Sequence, residues 1–484
     1  MSRPRTSARR ARQRGVTFYL FVLFTITTLT LLFGGAAMLQ GASPGERDAE
    51  RVLAESRRAV LVYLSQPDTP LNAADAGRRL AEWRLTPDLP IAPGAGEDAA
   101  EPVLDGLAET GGCATRTWLP GQALQPVATS GAAARCFGRL PWRTLGIALP
   151  DADVVGPDLA GLVPWVVISP NLVAQAPCLP DLNPLMLSVV HGGYGCPTPV
   201  PYPWLRVVDE RGNLLSDRVA FALILPGPPH DDQVRSPGAG PAAWLDRLTV
   251  VSTCQAPCVP GVYDNAGYAH ANGQPTTLVR GPRAGSAIDR TANHAQPVRF
   301  NDRLIYVTAD ELFEAMATRA RNELVTRLRE LRNAPGGYFP WAAPFQSTTG
   351  ECLPGLRFGH PASSCTAGPA TLLQPWFTDA GWHRYFVYAV SPRCVQTDPS
   401  CTAPGLTVST LTNVNALLIE PGPAIQQPPF AASRLMAQAP LNGLVPSALP
   451  ADYLDSVQNA SDNDVFEFVP VPSASNNDRL VIVQ

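Results

Sequence analysis

Asn301-Asp302-Arg303-Leu304-Ile305-Tyr306-Val307 returns later in the chain as Asn477-Asp478-Arg479-Leu480-Val481-Ile482-Val483. Three further blocks precede each of these runs, in the same order. Val166-Val-Ile-Ser-Pro170 is matched by Tyr388-Ala-Val-Ser-Pro392. Ala222-Leu-Ile-Leu-Pro-Gly-Pro228 is matched by Ala416-Leu-Leu-Ile-Glu-Pro-Gly-Pro423, and Trp244-Leu-Asp246 by Tyr453-Leu-Asp455. One match of this length means little, but four in one order mark an internal repeat. Most of the blocks are apolar runs ending in turn residues, the pattern of a strand stopped by Pro or Gly.

The repeat predicts two related β-rich modules, over 113–308 and 350–484. The first carries two extra segments, 177–203 and 252–297, rich in Pro, Gly and Cys. They read as loops, where binding is usually placed. Between the modules, 309–334 reads as a helix. Thr308 and Glu311 form a capping box, and Leu312, Phe313, Met316, Ala320, Leu324, Leu328 and Leu331 recur at spacings of three and four. Pro335-Gly336-Gly337 ends it, and such a stripe packs on a sheet.

Working back to the start, residues 1–15 hold six Arg and no acid, and Val16 to Leu39 hold no charge at all. About 20 apolar residues span a bilayer as a helix, so this stretch predicts a transmembrane helix with its basic flank in the cytoplasm. After it, Ser43-Pro44-Gly45-Glu46 restarts a helix, and Val52, Leu53, Val60, Tyr63 and Leu64 share one face of it. Residues 16–66 thus read as a transmembrane and juxtamembrane helix, and 67–112 as a Pro- and Gly-rich linker.

The junction Arg14-Gly15-Val16-Thr17-Phe18 places a glycine before the apolar run, not a small-residue cleavage site after it. That order resembles the prepilin-type signal of type IV pilins and type II secretion pseudopilins. The resemblance implies a prepilin peptidase that cuts after Gly15, leaving Val16 as the mature N-terminus. It departs from the family at the fifth mature position, where the usual Glu is Leu20. That departure suits a minor or fibre-independent protein better than a major pilin. An uncleaved signal anchor remains the alternative. The run 136–146 and the block 301–308 also resemble uncharacterised long, single-anchor proteobacterial proteins grouped with secretion and pilus systems.

Composition bounds the partners. Six of the 37 basic residues, all Arg, lie before Val16, and all 41 acids lie after it, so the rest of the chain carries a net charge of −10. An acidic domain is poorly suited to phosphate contacts, so no nucleic acid is expected. The 51 Pro favour short strands and long loops. The ten cysteines are Cys113, Cys136, Cys178, Cys196, Cys254, Cys258, Cys352, Cys365, Cys394 and Cys401. In an oxidising compartment they read as disulfides, taken as neighbours along the chain: 113–136, 178–196, 254–258, 352–365 and 394–401.

No catalytic constellation is present. The six His (191, 230, 270, 294, 360 and 383) lack zinc spacing, and no nucleophile elbow or phosphate loop occurs. His230-Asp231-Asp232 reads as a solvated turn. Asp462, Asp464 and Glu467 offer oxygen ligands of the kind calcium takes, without the full loop pattern. The repeated Asp302–Arg303 and Asp478–Arg479 read as turn or ion-pair positions, and the tryptophans as core.

The expected fold is therefore α+β: a long N-terminal transmembrane helix, then two related β-rich modules joined by an amphipathic helix. The expected protein is not an enzyme and carries no cofactor. It sits in the inner membrane with its C-terminal region in the periplasm or in a surface fibre. Its expected partners are lipid, pilin or pseudopilin subunits and the peptidase. The alternative is a signal-anchored periplasmic binding module unrelated to pili.

Overall fold

The computed structural model describes residues 44–65, 116–118, 124–126, 136–147, 163–169, 172, 204–227, 229, 233, 235, 240–250, 261–267, 276–281, 300–347, 349–365, 373, 377, 382–402, 404–422, 426–427, 431–432, 449–468 and 476–484. Helix α1 (Pro44–Ser65) comes first. Strands β1 (Arg116–Trp118) and β2 (Leu124–Pro126) form a small ribbon, and β3 (Cys136–Arg139) and β4 (Trp165–Ile168) follow. Next are β5 (Leu205–Asp209), β6 (Leu214–Leu225), β7 (Arg247–Val250), β8 (Gly261–Asp264), β9 (Thr277–Arg280) and β10 (Arg303–Thr308). Helix α2 (Ala309–Asn333) leads to β11 (Phe358–Gly359), the one-turn α3 (Trp382–Tyr385) and β12 (Val387–Val390). The chain continues through β13 (Leu406–Val408), β14 (Leu411–Val414), β15 (Ala416–Glu420), β16 (Gln426–Gln427), β17 (Ala431–Ala432), β18 (Val465–Phe466) and β19 (Arg479–Val483).

The same strand plan appears twice. In the first copy β3, β4, β6 and β10 lie side by side, and in the second β11, β12, β15 and β19 do, all antiparallel. The first half of β6 pairs with β5, which runs parallel to β9. In the second copy the long strand is cut in two at Asn415: β14 pairs with β13, which runs parallel to β18. Both copies are therefore mixed arrangements with one parallel pair each.

Register fixes the alignment residue by residue. Leu304 faces Ile224 and Leu480 faces Ile419, while Trp165 faces Ile224 and Val387 faces Ile419. Ala222 is thus equivalent to Leu417, one residue along from the Ala–Ala match that the sequence suggests, and Leu225 is equivalent to Glu420. The strands read as unbroken apolar runs because both faces of each sheet are covered. Successive side chains alternate between faces. Val166, Ile168, Leu223, Tyr388, Val390 and Leu418 enter one shared core with both helices. Trp165, Val167, Ile224 and Leu304 build a separate core behind the first sheet, and Val387, Ala389, Ile419 and Leu480 another behind the second.

Helix α2 lies in the shared core. Thr308 caps it, its Oγ1 accepting from the Glu311 N–H at 3.1 Å. The Glu311 carboxylate turns to Arg57 on α1, so only half of the expected capping box forms. Leu312, Phe313, Met316, Ala320, Leu324 and Leu328 are buried, each large side chain contributing about 2 kcal/mol by leaving water. Charges fix the helix to both sheets: Asp310 to Arg218, Glu314 to Arg479 and Arg321 to Glu420. Glu420 is 1 % exposed, and burial, opposed by Arg321, raises its carboxyl above the usual range.

The expectation of a long N-terminal transmembrane helix is corrected here. Among the described residues, no helix is long and apolar enough to cross a membrane, and the architecture is mixed sheets with few helices. Val16–Leu39 lies outside the described residues, as do the linker expected at 67–112 and the inserted segment 177–203. The N-terminal helix that is described, α1, is amphipathic. It carries Asp48, Glu50, Arg51, Glu55, Arg57 and Arg58, and it buries Ala49, Leu53, Val60 and Leu64 in the shared core against β6, β10 and α2. Leu53→Ala should therefore cost about 3 kcal/mol of unfolding free energy. Val62→Ala, on the outer face at 44 % exposure, should leave it within about 0.5 kcal/mol. Chemical denaturation of both variants checks this, and equal effects would mean that α1 is not docked.

Candidate functional site

The chemistry-bearing side chains gather at two equivalent nodes, one at the foot of β10 and one at the foot of β19. At the first, Asp302 Oδ2 accepts from the backbone N–H of Asp246 at 2.8 Å and from Asn265 Nδ2 at 3.1 Å. Asn265 Oδ1 in turn accepts from the Val279 N–H of β9 at 2.8 Å. Asp246 Oδ2 closes the ring by accepting from the Asn301 N–H at 2.7 Å and the Asp302 N–H at 3.3 Å. At the second node, Asp478 Oδ1 accepts from the Asp455 N–H at 3.1 Å. Its Oδ2 accepts from the Ser456 N–H at 3.0 Å and from Asn459 Nδ2 at 3.3 Å. Asn459 Oδ1 accepts from the Glu467 N–H at 2.8 Å, and Asp455 Oδ2 from the Asn477 N–H at 3.1 Å.

The Pro-Gly-Pro blocks exist for these nodes. A Cβ on Gly227 would lie 2.4 Å from Asn301 Cγ, and one on Gly422 would lie 2.9 Å from Asn477 Cγ. Only glycine lets the end of the central strand pass so close to the last strand's lead. The recurring Asp–Arg pairs are thus divided in role. Each Asp gathers distant backbone donors, while Arg303 faces Glu50 on α1 and Arg479 pairs with Glu314 on α2.

The sequence reading missed two members of the repeat. Asn265-Ala266 and Asn459-Ala460 are a shared dipeptide in the right order, too short to stand out. Phe137-Gly138-Arg139 and Phe358-Gly359-His360 are likewise equivalent by register, since Gly138 faces Val166 and Gly359 faces Tyr388. Arg139 is buried, its guanidinium 4.0 Å from the Trp165 ring and 4.3 Å from the Trp244 ring, with Nη1 donating to Val163 O at 2.8 Å. His360, in the equivalent place, lies 4.9 Å from Phe345 and 5.0 Å from Tyr453. Trp142, Trp165, Trp244, Trp341 and Trp382 are all buried and form core, and Trp204 is half-buried.

The residues offered for calcium are otherwise engaged. Asp464 binds Arg357 Nη1 through both oxygens, at 2.7 and 3.0 Å, and Glu467 Oε2 accepts from Ser456 Oγ at 3.1 Å. Asp462 is exposed. Among the described residues no three His, Cys, Asp or Glu side chains are grouped to hold a metal ion. Cysteines 352–365 and 394–401 form disulfides between chain neighbours. Cys136 begins β3, while Cys113, Cys178, Cys196, Cys254, Cys258, His230-Asp231-Asp232 and the Gly15–Val16 junction lie outside the described residues. No family model, curated protein or solved structure matches the chain.

Chemically, the nodes are braces. Each carboxylate accepts donors from a distant stretch of chain and so holds the segments together. They differ in one respect. Asp302 Oδ1 is buried without a hydrogen-bond partner among the described residues, whereas both oxygens of Asp478 accept. Burial first, then the Asp246 charge, hold the Asp302 carboxyl well above the usual range. Asp302→Asn can keep both acceptor contacts through its one carbonyl oxygen and should cost about 1 kcal/mol. Asp478→Asn must turn an N–H₂ toward a backbone donor and should cost about 3 kcal/mol. Denaturant titration of the two variants reads the difference, and equal losses would contradict this distinction.

Proposed function

We propose that the chain is a structural protein of the cell envelope, of the minor-pilin or pseudopilin kind, which assembles or adheres and performs no catalysis. The order of segments at its start carries this reading: a basic leader, the Gly15–Val16 junction, a charge-free stretch and a helix restart at Ser43. The packing of α1 supports it, because a segment that enters an assembly must be held firmly by the domain it carries. Leu53, Val60 and Leu64 supply that hold. The long-range donors that both carboxylates accept are in keeping with a structural role. On this reading the chain is retained at the inner membrane by its N-terminal stretch, with lipid and pilin or pseudopilin subunits as neighbours. The remainder lies in the periplasm, and a prepilin peptidase acts at Gly15.

Leu20 favours a second reading. Without the family's glutamate at that position, the protein is a signal-anchored periplasmic binding module unrelated to pili. Intact mass of the exported protein separates the two. Processing after Gly15, lost in Gly15→Ala, is the expected result. An unprocessed wild-type N-terminus would overturn the pilin-like reading and leave the binding module.

A further inference from the structure

The second copy contains a buried pair of histidines that neither the repeat nor the proposed role uses. His360 is 1 % and His383 is 2 % exposed. His360 Nδ1 meets the Phe386 carbonyl at 2.8 Å, and its backbone exchanges two 2.8 Å hydrogen bonds with Ala343. His383, on α3, lies directly under Gly350, which has φ of +69°. A Cβ there would be 2.8 Å from His383 Cδ2 and 2.8 Å from Ser363 Oγ. Ser363 fastens the same loop, its Oγ donating to Thr349 O at 2.8 Å and its N–H to Gly350 O at 2.7 Å. The Cys352–Cys365 disulfide closes the loop into one piece.

The rings are poorly provided for as cations. Nε2 of His360 and both ring nitrogens of His383 are buried without a well-formed hydrogen bond. The backbone groups that face them belong to Phe345 and Phe377. Of the groups packed around the pair, Arg384 on α3 is a cation that acts on both rings, and His360 also acts on His383. Tyr453 lies against His360 from the 450–455 segment, with Asp452 beside it in the chain. The first copy holds Arg139 in the place of His360, charged at every pH.

We propose that His360 and His383 form an acid-operated latch on the disulfide-closed segment Thr349–Cys365. When both rings take up protons, the segment, with edge strand β11 inside it, lifts from α3 and β12 and uncovers the aromatic cluster Trp382, Tyr385 and Phe386, while the first copy stays closed. Burial lowers His360 to about 4 and His383 to about 3 from the ordinary 6.5. The sign follows from linkage. Above the ordinary value neither the closed nor the open form binds these protons, and closure is unaffected. As pH falls below it the open form binds them first, so closure weakens until the buried rings titrate. Between those limits two protons make opening ~100-fold more frequent per pH unit. The inference does not depend on the pilin-like reading.

Hydrogen exchange on the full chain between pH 7.5 and 4, corrected for the intrinsic pH dependence of exchange, tests it. Peptides spanning 345–365 should lose protection steeply below about pH 6, while those spanning 303–308 keep theirs. The double variant H360Q/H383Q should show a flat profile over 345–365. R384Q keeps both rings and removes the cation that lowers them, so acid should weaken closure less and the midpoint for loss of protection should move to lower pH; this variant decides the matter if the double variant fails to fold. A wild-type pH profile in H360Q/H383Q, an unmoved midpoint in R384Q, or simultaneous loss of protection in 303–308 would each overturn the latch.

Discussion

A carboxylate buried at the foot of the last strand, Asp302 in one copy and Asp478 in the other, is the point on which each sheet closes. Donors from elsewhere in the chain converge on it: the Asp246 N–H and the Asn265 amide on Asp302, and the Asp455 and Ser456 N–H groups and the Asn459 amide on Asp478. Without the carboxylate those backbone N–H groups would be buried and unpaired, at about 1–3 kcal/mol each. The glycine of Pro-Gly-Pro, the Asn-Ala turn and the Leu-Asp turn all follow from the need to reach this one acid. A buried acid, more than any apolar contact, explains why the blocks stay alike while the loops between them differ so much in length.

Helix α2 is the second constraint, because two sheets share it. It presents apolar side chains to the core that both sheets share, Asp310 to the first sheet, and Glu314 and Arg321 to the second. Glu420 stands where the first copy has the buried Leu225, so the copies differ at the position that faces the helix. Breaking a buried ion pair by removing one partner is costly, since the other charge is left without compensation. The helix is thereby oriented: its two sides are not interchangeable even though the two sheets nearly are.

Much of this was legible in the residues, and what was not has physical reasons. The four matched blocks occupy equivalent strands and turns because strands stopped by Pro and Gly leave a local signature. The one-residue slip between Ala222 and Ala416 arose because apolar runs carry no internal marker; only pairing with β10 and β19 sets their phase. Asp302 and Asp478 read as turn or ion-pair residues because nothing local shows that an acid's donors lie 19 to 56 positions away in the chain. Asn265, Asn459 and the Arg139–His360 equivalence escaped for the same reason: their meaning is long-range. The apolar stripe of α2 was plain, since its period is set by neighbours three and four residues apart. The charge-free Val16–Leu39 stretch suggested a dominant membrane helix, whereas the described fold is governed by mixed sheets and by a charged, amphipathic α1.

The likeness of β10 and β19 has a consequence for how the chain reaches this state. Both strands carry the same lead and the same alternation, so each sheet offers an edge that fits the wrong strand. Repeat-containing chains misassemble in this way, by exchanging equivalent elements. Here the peptide chain itself discriminates. Thr308 ends β10 and caps α2, with no spacer between them. A misplaced β10 would drag a 25-residue helix to the wrong side of the second sheet. The joint at Thr308 therefore ties the placement of β10 to the placement of α2.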